Sequence, residues 1–228
     1  MTWPEIRDAI AAGKTTALYY AGSTEQNGPH MVTGKHNLIA KHVVARIATS
    51  LGNALVYPVM PFAPTGNPVQ KTEHMAFPGS VSVEKETYAR VAREVSLSAA
   101  AAGFTCIVLM GDHGGGQDAL GGVARDLTKS GVRVVHVVDV YERSNVMSMT
   151  LLQKLGLPYG DHASIIDTSE LMFVSPHAVR MALRNQATEQ TGSSGFAQLA
   201  SAKLGEQFIG YKVQAAVEEI RGVGACGH

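Results

Sequence analysis

The sequence predicts an α/β fold in which a mainly parallel sheet is covered by helices on both faces. Four short apolar runs alternate with longer segments of helical periodicity along the 228 residues of the chain. These runs are continuously apolar rather than alternating, which is typical of parallel strands buried on both faces. Alternation of strands and helices indicates repeated β–α–β units, and a chain of this length is expected to form one domain over residues 1–228.

The first half of the chain predicts two helices, two strands and a long loop. Pro4 fits the first turn of a short helix, and Thr2 can cap that helix. Asn37 can cap the next helix, in which apolar side chains recur on one face. The predicted elements are a helix at 4–12, a strand at 16–21, a helix at 37–50, a strand at 54–60 and a proline-rich loop at 61–80. Loops of this length inside a compact domain are usually functional.

The second half predicts two further strands among five helices. Gly103 ends one predicted helix and Gly131 ends another, because glycine is the preferred residue just beyond a helix C-terminus. An apolar run of strand length follows each of these glycines. The predicted helices are 84–102, 117–129, 141–155, 163–173 and 196–220, and the predicted strands are 105–110 and 133–138.

Composition argues against several classes of function. The 19 basic and 19 acidic side chains balance, so the chain lacks the charge pattern expected for binding nucleic acid or an anionic membrane. No apolar run approaches the roughly 18 residues that span a bilayer, and the N-terminus lacks the pattern of a signal peptide. Cys106 and Cys226 suggest no disulfide framework. We therefore expect a soluble, cytoplasmic protein.

The segment Gly111–Gln117 places a histidine where ligands commonly bind. It follows the apolar run 105–110, so His113 is expected at the carboxyl edge of the sheet, where open α/β sheets form their ligand crevices. The surrounding glycines permit tight turns and leave space above the imidazole. An ordinary strand-to-helix turn with an incidental histidine is the alternative interpretation.

The loop after the first predicted strand adds a carboxylate and a second imidazole. Glu25 lies four residues past that strand, and His36 lies just before the next predicted helix, so both should project near the edge that carries His113. Two histidines and one glutamate, with an open position for water, form a common hydrolytic zinc site. The alternative is that Glu25 and His30 only hydrogen-bond within their loop.

Four sequence blocks resemble the creatininase (creatinine amidohydrolase) family. They are GSTEQNGPH at 22–30, EHMAFPGS at 73–80, GDHGG at 111–115 and His162-Ala163 followed after four residues by Thr168-Ser169. The blocks occur in the family's order and cover most of the chain. The resemblance implies a three-layer α/β/α fold with a mainly parallel sheet, a divalent metal centre and hydrolysis of a carbon–nitrogen bond in a small, often cyclic amide. It also implies a homo-oligomer, which is hexameric in creatininase itself.

Several metal-binding positions of that family carry different residues in this chain. The first block usually reads Glu-x-His, but the third position is Asn27 here, and His36 stands where an aspartate usually bridges two metals. Gly115 replaces the glutamate that binds the second metal in creatininase, and Asp167 replaces the glutamate of a Glu-Thr-Ser sequence. An imidazole cannot bridge two ions as a carboxylate does.

The resemblance and these departures together predict one metal ion. We expect Zn²⁺, with Mn²⁺ or Fe²⁺ as alternatives. Its predicted ligands are Glu25, His36 and His113, with Asp167 as a ligand or a nearby orienting group. Asp112 is expected to orient a ligand imidazole.

The same resemblance suggests roles for other residues. His162 matches the family histidine near the leaving group, where it could protonate a departing amine or hold the oxyanion; a capping or surface histidine is the alternative. Glu73 could act as a general base or merely brace the long loop. The candidates for substrate binding are His74, His30, Asn27 and Tyr159.

The predicted function is therefore hydrolysis of an amide or lactam bond in a small molecule by a metal-activated water. Two alternatives remain at this stage. The same chemistry could hydrolyse a carbon–carbon bond in a cyclic ketone, or the chain could be a catalytically inactive relative that only binds a ligand.

Overall fold

The computed structural model describes residues 1–224 and Cys226. Within that part of the chain, the central sheet has four strands in the order β2–β1–β3–β4, and every pairing is parallel. The strands are β1 (Thr16–Ala21), β2 (Ala54–Val56), β3 (Cys106–Gly111) and β4 (Val134–His136). The predicted α/β fold with a mainly parallel sheet is confirmed.

Seven α-helices accompany the sheet in the described residues. They are α1 (Trp3–Ala11), α2 (Lys35–Leu51), α3 (Lys85–Ala101), α4 (Gln117–Lys129), α5 (Glu142–Lys154), α6 (Ile165–Val174) and α7 (Ala202–Gly222). Short 3₁₀ turns lie at Glu73–Ala76, Pro176–Ala178, Met181–Gln186, Glu189–Thr191 and Ala197–Leu199.

The two central strands are buried on both faces, which explains their continuous apolar sequence. Leu18 and Tyr20 of β1 face a core shared with α2 and α7, whereas Ala17 and Tyr19 face a core shared with α3 and α4. Alternate side chains of one strand point to opposite faces of a sheet, so each face carries its own helical layer. The result is a three-layer arrangement, and α5 and α6 pack beside α7 through a further cluster around Phe208.

The strand order creates a crevice at the carboxyl ends of β1 and β3. The chain runs from β1 to β2 on one side of β1 and then to β3 on the other side. Ligands of open α/β sheets bind at such a reversal of strand order. The loops that follow β1 and β3 therefore meet at this crevice, and they carry Glu25 and His113.

Several predicted boundaries differ from the structure, and three of these differences have a clear local cause or affect a predicted site residue. The second strand ends at Val56, because Pro58 lacks a backbone donor and interrupts the regular ladder. Helix α2 begins at Lys35, so His36 lies in its first turn rather than before it. Helix α7 begins at Ala202, where the Ser201 hydroxyl accepts a hydrogen bond from the Leu204 N–H.

The cysteine prediction was wrong. Cys106 of β3 and Cys226 form a disulfide, with their Cα atoms 5.5 Å apart. The sequence did not indicate this pairing, because the two cysteines are 120 positions apart along the chain. In the part of the chain that the structure describes, no helix combines the length and apolar character needed to cross a membrane.

Candidate active site

Glu25 lies at the centre of the candidate active site and is completely buried. Its Oε1 atom lies 3.0 Å from Nε2 of His36, and its Oε2 atom lies 2.8 Å from Nε2 of His113. The Ser23 hydroxyl donates a 2.9 Å hydrogen bond to Oε2. Burial raises the pKa of Glu25, but the two imidazoles outweigh burial and hold this pKa well below its usual range. Glu25 is therefore an anion inside the protein.

Three different elements bring these side chains together. Glu25 follows β1, and its backbone N–H donates a 3.0 Å hydrogen bond to the Thr33 carbonyl, which turns the loop back toward α2. His36 lies in the first turn of α2, and His113 follows β3. The potential ligand atoms of Glu25, His36 and His113 all lie within 4.8 Å of one another, so they can share one metal ion.

Asp112 orients His36 from the side opposite Glu25. Its Oδ2 atom accepts a 2.8 Å hydrogen bond from Nδ1 of His36. Its Oδ1 atom accepts hydrogen bonds from Lys212 Nζ at 3.0 Å and from the Tyr20 hydroxyl at 3.1 Å. A carboxylate that accepts from one imidazole nitrogen leaves the other nitrogen free for a metal. This arrangement fits the donor set of a metal centre.

Two more imidazoles lie beside Glu25, away from the first pair. Nδ1 of His162 lies 3.7 Å from Oε1 of Glu25, and Nε2 of His74 lies 3.9 Å from Oε2. The two ring centroids are 4.4 Å apart, and these atoms also form a group within 4.8 Å with Glu25. Burial lowers the pKa of His162 to about 4 and lowers the pKa of His74 as well. Both imidazoles are therefore largely neutral at pH 7.

Two lysines are buried in the wall of the site. Lys35 Nζ lies 2.9 Å from Oδ1 of Asp167, and Lys212 Nζ lies 3.7 Å from Oε1 of Glu170. Burial raises the pKa of Asp167, but Lys35 outweighs burial and holds this pKa below its usual range. Burial raises the pKa of Glu170 to about 7, against the opposing effect of Lys212. The wall thus contains buried charged groups, and each lysine is paired with a carboxylate.

A cavity of about 380 Å³ borders all of these groups. Helix α5 contributes Asn145 and Met149 to its wall, α6 contributes Ile166, and Tyr141 lies just before α5. The cavity is large enough for a small molecule, and it combines a few apolar contacts with convergent polar groups, as ligand sites commonly do.

A protein-family model described as "Creatininase: Creatinine amidohydrolase" matches residues 1–220. The chain belongs to the creatininase family. Among curated proteins, the chain is 30% identical over 181 residues to the mycofactocin precursor peptide peptidase of Mycobacterium ulcerans (strain Agy99). That alignment covers 78% of this chain and 61% of the relative, so the chain spans less than two thirds of that relative's length.

Solved creatininase structures share the fold. One, described as the crystal structure of creatinine amidohydrolase (creatininase), has a TM-score of 0.78 at 22% identity and covers 100% of this chain and 97% of its own. Another, a glutamate-to-glutamine creatininase mutant described as the Zn–Zn type, has a TM-score of 0.78 at 21% identity, covering 98% and 96%. Creatininase with manganese matches with a TM-score of 0.77 at 22% identity, covering 98% and 96%.

Six of the residues predicted for this creatininase-family site line the cavity: Glu25, His36, His74, His113, His162 and Asp167. The structure places Asp167 at one side of the first ligand group, where its Oδ2 atom accepts a 2.6 Å hydrogen bond from the Ala163 N–H. Together with the bond to Lys35, this contact fixes the start of α6. Asp167 belongs to neither of the two groups of potential ligand atoms, and its contacts are those of an orienting group.

The other four predicted residues lie outside the cavity wall. Glu73 is exposed and begins a 3₁₀ turn, and Tyr159 is 47% exposed. Asn27 is buried, and its Nδ2 atom donates a 2.8 Å hydrogen bond to the backbone carbonyl of Glu25, which braces the loop. His30 is also buried, and its Nε2 atom lies 2.9 Å from the Thr168 hydroxyl. The contacts of Asn27 and His30 fit a bracing role, and a general base at Glu73 and substrate contacts at Asn27, His30 and Tyr159 stay predictions.

The structure leaves no room for a side chain at Gly115, the position where the resemblance implies a metal-binding glutamate in creatininase. A Cβ atom at this position would overlap the carbonyl oxygen of Pro64 from the long loop. A glutamate at position 115 would therefore require the loop to move. The backbone of the long loop occupies space that a longer side chain would need.

Sequence reasoning missed Lys35, Lys212, Glu170 and Gln26. Lys212 does carry a signal, because it lies three residues after Ile209 and four before Ala216 on the buried face of α7. A lysine on such an apolar face needs a buried partner. The carboxylates that pair with Lys212 are Asp112, which follows β3, and Glu170 of α6. No local sequence pattern connects these two segments with α7.

Proposed function

We propose that this chain is a metal-dependent hydrolase that cleaves a carbon–nitrogen bond, amide or lactam, in a small substrate. The observation that supports this most directly is the buried carboxylate of Glu25 between the imidazoles of His36 and His113, at the edge of a cavity. The proposed ion, one per chain, is Zn²⁺, with Mn²⁺ or Fe²⁺ as alternatives.

The buried charges around the cavity support a single divalent cation. Four carboxylates, those of Glu25, Asp112, Asp167 and Glu170, face only two lysine ammonium groups. This leaves two negative charges, or between one and two at pH 7, where Glu170 is partly protonated. One divalent cation would offset this excess, whereas a second ion would leave the site positive. Buried charges without compensation are strongly unfavourable.

The family relatives bear on the identity of the metal and the substrate. Creatininase structures are described with zinc and with manganese, and one creatininase mutant is described as complexed with creatine. The curated relative is named for a precursor peptide. We therefore propose a small amide or short peptide as the substrate class.

The residues of the chain then take the following parts. When bound, a divalent metal brings the pKa of a water ligand to about 7 and polarises a carbonyl group. Glu25, His36 and His113 would hold the metal, and Asp112 keeps Nε2 of His36 free for it. His162 accepts the proton that the attacking water releases and passes it to the departing nitrogen. Its lowered pKa keeps His162 neutral at pH 7, so one ring nitrogen carries a free lone pair.

Metal analysis of the purified protein and a substrate panel test this proposal. We expect one bound divalent ion per chain and turnover of at least one lactam, formamide or short peptide. Glu25→Gln and His113→Ala should lose both. Glu94→Gln and His177→Ala, which alter exposed residues, should retain both.

Each contrary result has its own meaning. Two tightly bound ions per chain would contradict the single-ion centre. Turnover of cyclic ketones without turnover of amides would favour carbon–carbon bond hydrolysis. A wild-type protein that binds no metal and is as inert as the two variants would contradict the enzyme and favour a ligand-binding relative.

The proposal also covers the assembly of the protein and its location in the cell. A homo-oligomer rests on family resemblance, and light scattering of the purified protein would test it. The cysteines no longer support a cytoplasmic location, because Cys106 and Cys226 are paired. Mass spectrometry of the protein alkylated in intact cells would report whether the pair is oxidised where the protein resides.

A further inference from the structure

We propose that Gln26 is a positioning residue that holds His74 and His162 in the same Nε2–H tautomer but turns opposite ring nitrogens toward Glu25. In this arrangement His74 presents an N–H donor to the cavity side of Glu25, and His162 presents a lone pair. The two imidazoles then form a matched donor and acceptor rather than two equivalent groups.

The backbone of Gln26 sets the tautomer of His162. Its carbonyl oxygen lies 2.9 Å from Nε2 of His162. A carbonyl oxygen can only accept, so Nε2 carries the proton. In the neutral ring, Nδ1 then carries the lone pair, and this atom lies 3.7 Å from Oε1 of Glu25.

The side chain of Gln26 sets the tautomer of His74 and leaves its protonated nitrogen facing Glu25. The Gly28 N–H donates a 3.0 Å hydrogen bond to Oε1 of Gln26, which determines which end of the amide is the oxygen. The amide Nε2 atom therefore lies toward His74, 3.2 Å from Nδ1. An amide NH₂ can only donate, so Nδ1 of His74 accepts, and the proton is on Nε2. That N–H lies 3.9 Å from Oε2 of Glu25.

The surroundings of Gln26 leave its side chain little freedom. The residue is buried, and its backbone N–H donates a 2.9 Å hydrogen bond to the Ser80 hydroxyl. Gly192 packs against the amide so closely that a Cβ atom there would overlap Oε1 of Gln26. Three loops thus converge on one glutamine, and a rotated amide would place two donors against each other at Gly28.

A lone pair on one ring and an N–H on the other suit the two halves of amide hydrolysis. A water O–H bond breaks as the carbon–oxygen bond forms, and the proton moves to the lone pair on Nδ1 of His162. The carbonyl oxygen becomes negative in this step, and Nε2–H of His74 can donate to it. The carbon–nitrogen bond then breaks as His162 returns the proton to nitrogen. This chemical role rests on the proposed function, whereas the tautomers themselves can be measured without a substrate.

Nitrogen NMR of the histidine rings tests the proposal directly. The ¹⁵N-histidine protein, loaded with Zn²⁺, is recorded at about pH 8, above the ordinary histidine pKa of about 6.5. Signals are assigned by their loss in His74→Asn and His162→Asn. We expect a protonated-nitrogen shift at Nε2 and an unprotonated shift at Nδ1 for both rings, so that the nitrogen facing Glu25 differs between them. A protonated Nδ1 in His74, or a protonated Nδ1 in His162, would overturn the proposal.

Two substitutions of Gln26 separate positioning from general packing. In Gln26→Glu the new carboxylate can only accept, so His74 should move its proton to Nδ1 while His162, held by the backbone, keeps its tautomer. Gln26→Met should leave His74 as a mixture of tautomers. Gln70→Glu puts the same charge on an exposed part of the loop that carries His74 and should change neither ring.

A substrate found in the panel adds a second readout. Loss of one oxyanion donor typically lowers kcat about 10²- to 10³-fold, so Gln26→Glu should lower kcat by up to that factor with little change in KM. If Gln26→Glu leaves the His74 nitrogen shifts unchanged, Gln26 does not set the tautomer. If the shifts change as expected but no amide is turned over, the positioning stands and the proposed function fails.

Discussion

The two pairs of imidazoles around Glu25 differ in what holds them. His36 is held by charged groups: Asp112 accepts from its Nδ1 atom, and Lys212 of α7 in turn donates to Asp112. His162 and His74 are held by Gln26, a neutral residue in a loop. His36 thus depends on its position in α2 and on Lys212 of α7, whereas His74 and His162 depend on three loops.

The pKa values follow this difference. Burial lowers the pKa of His36, but the adjacent carboxylates of Glu25 and Asp112 outweigh burial, so its pKa is raised. Burial lowers the pKa of His162 to about 4, and Glu25 does not reverse this at 3.7 Å. A negatively charged environment favours a cation at the first pair, whether a proton or a metal. The neutral environment of the second pair favours an imidazole that can exchange protons.

The largest predicted effect, a loss of stability, comes from removing the ammonium group of Lys212, which pairs with Asp112 beside His36. Lys212→Met leaves Asp112 and Glu170 buried without their shared cation. Breaking a buried ion pair in this way lowers the free energy of unfolding by about 3–5 kcal/mol. Urea unfolding of the variant measures this loss, and Lys129→Met, at an exposed position, serves as the control. A change no larger than that of the control would mean that Lys212 does not support the first pair.

His162, of the second pair, should contribute to the dependence of the unfolding free energy on pH. The pKa of His162 is about 4 in the folded protein and about 6.5 in the unfolded chain. Between these values the unfolded chain binds the proton and the folded protein does not. Stability is therefore fully present above pH 6.5 and is lost as pH falls toward 4, by up to about 3 kcal/mol.

A variant isolates this contribution from other titrating groups. Glu170 acts in the opposite direction, because its raised pKa of about 7 makes the folded protein bind a proton first as pH falls. The difference in unfolding free energy between wild type and His162→Asn, both free of metal, should change with pH over this window. The difference for His177→Asn, at an exposed position, should stay constant. If the difference in unfolding free energy between wild type and His162→Asn also stays constant with pH, a buried, neutral His162 would be contradicted.

The sequence predicts the scaffold of the site better than its detail. Continuous apolar strands predict a parallel sheet, and the strand order explains why Glu25 and His113 meet. Local sequence also places the glycine turn at 111–116 and the long loop. Position along the chain did not indicate the surroundings of Asn27 or Tyr159, because backbone turns direct Asn27 into its own loop and leave Tyr159 exposed.

Contacts between distant elements account for most of what the sequence could not predict. Lys212 reaches Asp112 across 100 positions, and Gln26 reaches His162 across 136. Both contacts depend on how α7 and the loops pack over the sheet, which no periodic pattern specifies. The Cys106–Cys226 pair has the same origin, since it joins the central strand to a segment beyond α7.

The smallest predicted effect concerns Asp112, where charge can be removed with little change in shape. Asp112→Asn can still accept from Nδ1 of His36, but it loses the charge that favours a cation at Nε2 and weakens the bond to Lys212. Loss of an outer partner of this kind typically lowers metal affinity about 10- to 100-fold. Competition with a chelator measures the affinity, and Asp126→Asn at an exposed position is the matched control. Because Gln26 and its imidazoles do not contact Asp112, the ring nitrogen shifts of His74 and His162 should stay unchanged. A shift of either tautomer in Asp112→Asn would show that the charged and neutral pairs are coupled, and unchanged metal affinity would remove Asp112 from the metal centre.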